Sequence, residues 1–167
     1  TGGNAERRNM HDAPSTGSSS DKGAFGWNPA IRSETNASTL FVPREEQAKE
    51  FRNAGFGVVL THRADGIARG TGALVCLNDN PNLAVIVPQS AAFYSFNKGS
   101  SSHTYPSSLM GSIALLRQTY YDADWYSKGG HKEERNLTLD AFSASKLLPS
   151  IFDAGDKWNV LRADKVG

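Results

Sequence analysis

The chain has 167 residues, with 18 Lys and Arg against 17 Asp and Glu and a formal charge of +1. That length suffices for one domain with a real core and does not demand two. The charges are scattered, which sets aside nucleic acid as a partner, and no apolar run approaches the roughly 18–20 residues of a transmembrane helix.

Residues 1–22 are polar, rich in Gly, Ser and charge, and show no hydrophobic period; they read as a loop or linker without a secretory signal, ahead of an α/β unit over 23–167. Pro43 suits the first turn of a helix over 43–54, with Glu45 and Glu46 near its positive end, Gly55 just past its last turn, and Gln47, Ala48 and Phe51 inward. Val58-Val59-Leu60 follows without polar alternation, the pattern of a parallel strand covered on both faces. Helix followed by strand is the rhythm of an α/β fold.

Strand Ala73–Leu77 holds the single cysteine, Cys76, read as a small buried core residue. The turn Asp79-Asn80-Pro81-Asn82 separates that run from Leu83–Val87, and the two are expected to pair as a hairpin. An aromatic strand and a Ser-rich loop lead to a long helix capped by Ser107 and reaching about Tyr126. Its expected stripe is Leu109, Ile113, Leu116 and Tyr120, widened by Met110, Ala114 and Tyr121. His131–Asn136 is charged and expected to be exposed. A helix over Leu137–Ala144, a strand within Leu147–Phe152 and a helix from Asp156 complete the chain. Opening in a loop and closing on LRADKVG in mid-helix, the chain reads as a piece of something larger, which makes the remainder of the polypeptide or a larger complex its expected partner.

The stretch Gly55–Leu77 is the one where residue types change most abruptly: two apolar runs flank a loop with His62, Arg63, Asp65 and Arg69. In open α/β sheets and barrels, ligands bind beyond the carboxyl ends of strands, so these side chains are site candidates. The Asp65–Gly72 loop is not a phosphate cradle, because a strand rather than a helix follows its glycines. Its glycines serve sharp turns and close approach, and Asp65 and Arg69 are expected to pair across it. The histidines at 11, 62, 103 and 131 fall in four separate segments, so no metal site is encoded locally. Ser100-Ser101-Ser102-His103 has the residue types of nucleophilic chemistry without the Gly-x-Ser-x-Gly elbow. Asn36-Ala37-Ser38 and Asn136-Leu137-Thr138 fit the short glycosylation pattern.

Three stretches, AGFGVVLTHRADGIARGTGALVCL, YPSSLMGSIALLRQTYYDADWY and LPSIFDAGDKWNVLRADKVG, resemble in order and spacing the amidohydrolase superfamily, more narrowly its long amidohydrolase-like proteins of Bacteroidetes. The resemblance implies an α/β chain that forms part of a (β/α)8 TIM-barrel-like fold, incomplete here. It implies metal-dependent hydrolysis of amide or cyclic amide C–N bonds in a small-molecule substrate, with zinc the expected divalent ion, and a periplasmic or cell-surface bacterial setting. His62 and Asp153 are then the expected catalytic positions, as ligand or proton carrier and as ligand or orienting carboxylate. Asp65 and Arg69 are expected near the substrate. The family's His-x-His is not in this chain, and Asp153 stands where many relatives carry histidine, which also admits a non-catalytic relative serving as a binding or assembly subunit.

Overall fold

The computed structural model describes residues 27–78, 83–130 and 135–166. The linker segment 1–22, His11, the turn 79–82 and residues 131–134, including His131, lie outside the described residues.

The described chain is a mixed α/β unit built on a four-stranded sheet in the order β1-β2-β3-β4, with β1 Val58–Thr61, β2 Ala68–Cys76, β3 Val85–Ser95 and β4 Ser150–Asp153. β1, β2 and β3 form an antiparallel meander, and β4 joins β3 in parallel after a helical crossover. The expected hairpin is present, with Leu74 opposite Val87 and Val75 opposite Val85. The expectation for β1 is overturned: it is antiparallel to β2 and alternately exposed and half-buried, not a parallel strand covered on both faces. Three successive apolar residues state β propensity but not how many neighbours a strand has, and β1 pairs with β2 alone among the described strands. Cys76 is likewise half-buried at the end of β2, its thiol against the Gly57 carbonyl oxygen at 3.7 Å.

Two short helices precede β1. Asn36 caps α1 (Ala37–Leu40), its Oδ1 accepting from the Ser38 N–H, and α2 (Glu45–Asn53) begins after Arg44, so Pro43 stands before the helix. α2 has Glu45 and Glu46 in its first turn and Gly55 in the left-handed conformation beyond Ala54, at φ 94°. It buries no residue; Gln47 and Ala48 are half-buried and Phe51 packs edge-on against Phe56.

The main core lies between the sheet and α3 (Leu109–Trp125) and α4 (Leu137–Ser145). Ala68, Ala92 and Tyr94 from the sheet meet Leu115, Leu116, Ala123 and Phe142 from the helices. Ser108 rather than Ser107 caps α3, its Oγ accepting from the Gly111 N–H at 3.2 Å. Ile113, Leu116 and Tyr120 face inward as expected, but the stripe widens through Ser112, Leu115, Thr119 and Ala123. Met110, Ala114 and Tyr121 are exposed. Small polar residues occupy that flank because their hydroxyls bond within the helix: the Thr119 hydroxyl donates to the Leu115 carbonyl at 2.9 Å. Asn136 caps α4, and Asp156 caps α5 (Lys157–Asp164) by accepting from the Trp158 and Asn159 N–H groups. Both asparagines of the glycosylation-like triplets are thus helix caps. Among the described residues no helix is long and apolar enough to cross a membrane.

Candidate functional site

The strand directions bring three carboxyl ends to one edge. β1 and β3 both run antiparallel to β2, and β4 runs parallel to β3, so His62, Ser95 and Asp153 all stand at the same end of the sheet. Arg69, near the start of the opposed strand β2, arrives at that end too.

Alternation along the strands sorts these residues by face. Ala92, Tyr94 and Phe152 turn toward the helices or pack on that core. Phe93 and Ser95 on β3, with Ile151 and Asp153 beside them on β4, therefore occupy the opposite face. His62, one residue beyond Thr61, belongs to this face as well: its ring lies flat on Phe93, with centroids 4.0 Å apart and planes 5° from parallel. Gly72 makes the arrangement feasible. A Cβ there would run into the Phe93 ring and approach the Thr61 carbonyl oxygen to 2.9 Å.

Arg69 follows the core-facing Ala68 on β2 and so belongs to the same face, beside a bulge. Ala68 pairs with Tyr94 but Thr71 with Ala92, so β2 carries one residue more than β3 across this interval. Gly70 takes the positive φ of 81° within the bulge, and residues 31–36 run alongside it, with the Thr71 N–H bonded to the Thr35 carbonyl at 2.9 Å. The Arg69 side chain, only 6% exposed, donates from Nε to the Gly66 carbonyl at 3.1 Å and from Nη1 to Asp153 Oδ2 at 3.0 Å. Asp153 itself is 59% exposed, so its carboxylate is anchored on one side and open on the other.

The expected Asp65–Arg69 pair is replaced by this one. Asp65 turns the other way, into a knot that ties three segments. Its Oδ1 accepts from the Ser100 N–H at 2.7 Å, its Oδ2 accepts from the Ser100 hydroxyl at 2.8 Å and Arg63 Nη2 at 3.3 Å, and Arg32 Nη1 forms an ion pair with Oδ2 at 3.2 Å. Arg32 also donates to Ser100 Oγ at 3.2 Å and to the Pro29 carbonyl at 2.8 Å. Burial by itself would raise the Asp65 pKa; the two Ser100 hydrogen bonds and then the Arg32 and Arg63 charges outweigh it and hold the carboxyl below its usual range. Ser100 therefore serves as a loop tie in place of a nucleophile, and His103 is exposed, its carbonyl accepting from Lys98 Nζ at 2.9 Å. Arg32 and Ser100 carry no motif that marks them in advance, because their pairing depends on segments 68 residues apart.

His62, Arg69 and Asp153 thus share one end and one face of the sheet, while Asp65 stands at the same end in a separate cluster. No group of three or more His, Cys, Asp or Glu residues able to hold a metal ion occurs among the described residues. Asp153 is engaged by Arg69 and Asp65 by its donors, so these side chains do not of themselves make a divalent-ion site.

No family model and no curated protein matches the sequence. The fold is similar to that of a solved amidohydrolase from Thermotoga maritima MSB8, with a TM-score of 0.67 and 16% sequence identity. The match covers 83% of this chain but 42% of the amidohydrolase, so the chain spans less than half the length of that structure. The likeness is one of fold.

Proposed function

We propose that this chain forms part of the barrel wall of an amidohydrolase-like hydrolase acting on amide or cyclic amide C–N bonds. The observation that carries this reading is the convergence of His62, Arg69 and Asp153 on one face, at the edge where three strands end, in a fold shared with an amidohydrolase. The (β/α)8 closure, the remaining catalytic groups and any zinc or other divalent ion belong to the proposal, supported by the resemblance of the three sequence stretches.

In this reading water adds to the amide carbon and the nitrogen departs with a proton. Asp153, fixed through Oδ2 by Arg69, offers its open oxygen to orient the water or a substrate N–H. His62, held flat by Phe93, carries the proton. Arg69 is a positioning residue, fixed by Gly66 and buried against the bulge. Asp65 acts one step away, keeping the loop after β1 in place.

The test is an assay of the full-length protein against N-acyl amino acids and cyclic amides, with Asp153→Asn and His62→Asn beside the wild type and with metal content measured by mass spectrometry. Each substitution is expected to lower kcat by about 10²-fold or more. Unchanged turnover in both variants would reject these roles. A second reading, a non-catalytic subunit, is favoured by the Arg69–Asp153 ion pair, which neutralises the carboxylate that an ion would need. It predicts a folded full-length protein with no stoichiometric metal and no turnover.

A further inference from the structure

Arg63 stands out once the roles of the other charged groups are assigned. Arg32 has all three guanidinium nitrogens engaged, with Pro29, Asp65 and Ser100, and Arg69 is occupied by Gly66 and Asp153. Arg63, one residue beyond His62, donates to Asp65 from Nη2 alone. Its other N–H groups have no partner among the described residues, and its side chain is 26% exposed. A guanidinium presents five donors in a planar fork shaped for two-oxygen anions, so most of its capacity is unused.

The electrostatics point the same way. Among the described residues Asp65 is the single carboxylate paired with both Arg32 and Arg63, which leaves these described groups one positive charge in excess. The Ser100 hydrogen bonds take up the Asp65 lone pairs further and limit how well it can quench Arg63. The cluster also restrains the side chain: Asp65 is tied to two other segments, so Arg63, the residue after His62 in the loop beyond β1, is held by a fixed counter-charge at the end of the sheet where His62 stands. Less rotamer entropy then remains to be lost on binding.

We propose that Arg63 is the receptor for an anionic group, a carboxylate by preference, on the substrate of this site, which makes the hydrolase selective for amides that carry a negative charge. This rests on the hydrolase reading for its catalytic consequence, although anion binding itself does not need turnover. A carboxylate seated on Arg63 makes two parallel charge-assisted hydrogen bonds. Arg32 supports it as a second positive charge without direct contact.

The experiment is calorimetric titration of the full-length protein with N-acetylglycine and with its uncharged counterpart N-acetylglycinamide, for wild type, Arg63→Gln and Arg63→Lys. The acid is expected to bind about tenfold or more tightly than the amide, the span of one good hydrogen bond to a charged group. Arg63→Gln should abolish that preference and Arg63→Lys should keep part of it, as a point charge without the fork. Equal binding of acid and amide, no binding of either, or a preference that survives in Arg63→Gln would overturn the proposal. Thermal melts of both variants, expected to match the wild type because Arg63 lies in a loop, separate a loss of binding from a loss of fold. A preserved acid preference with no amide cleavage would reject the hydrolase reading and leave the receptor standing.

Discussion

The Arg69 guanidinium donates to Asp153 at 3.0 Å across 84 positions of sequence, joining the bulge of β2 to the carboxyl end of β4 without any contact between those two strands in the sheet order. β3 lies between them, so the ion pair bridges over it on the face turned away from the helices. Because Arg69 is nearly buried and Asp153 mostly exposed, the pair falls between the weak surface class and the strongly coupled buried class.

A double-mutant cycle with Arg69→Met and Asp153→Asn should therefore give a coupling of about 1–2 kcal/mol in chemical unfolding. Asp153→Asn alone should cost less than Arg69→Met, which also removes the bond to Gly66 and the packing of the stem in the bulge. Additive single effects would show that the pair is solvated in solution.

Gly72→Ala should destabilise the protein by about 1–3 kcal/mol, the usual range for an overpacked site. The new methyl collides with the Phe93 ring and presses on the Thr61 carbonyl, so the His62 ring loses its platform. Adding Phe93→Leu to Gly72→Ala should recover part of the loss, which thermal unfolding of the three variants measures.

Acid should loosen the loop after β1 through Asp65. Its folded pKa lies below the ordinary aspartate value of 3.8, so the charged form is favoured by folding. The stability it contributes is present above that ordinary value and is lost as pH falls through the depressed folded one. Asp65→Asn should be less stable than wild type near neutrality, with Arg32 and Arg63 left facing each other, and the gap should close as pH drops below 3.8. Melting temperatures of both proteins across that range provide the check; a gap independent of pH would contradict the assignment.

Phe142→Ala should cost about 3–5 kcal/mol, since the ring is fully buried and meets Tyr120 edge-on at 4.8 Å and Tyr94 at 6.1 Å. Tyr94 lies next to Phe93 on β3, so this core contact holds the strand whose other face supports His62. Calorimetric unfolding of the variant measures the loss.

Local signals were legible where one residue type determines one outcome. The start of the last helix near Asp156, Gly55 past the end of α2, and the hairpin of β2 and β3 all follow from residue preference at helix ends, tolerance of positive φ and strand patterning. The candidate site was legible in its members and less so in its pairings. His62 and Asp153 stand out as polar residues at the ends of apolar runs and Arg69 as a charge in a Gly-rich stretch, yet Asp65 and Arg69 look like natural partners only while the chain is read as a line. Strand order brings Asp153 of β4 within reach of Arg69 on the face turned away from the helices, and Arg32 and Ser100 arrive at Asp65 from segments that no local rule connects.

The sequence by itself determined the mixed α/β character, most helix and strand positions, and the polar residues available for chemistry, because propensity, capping and turn formation act over a few neighbouring residues. Only the tertiary structure decided that β1 is antiparallel, that three carboxyl ends share one edge, and which carboxylate each arginine meets. Those outcomes depend on strand register and on charges brought together from distant segments. Such long-range choices are settled by packing and by the pairing of buried polar groups.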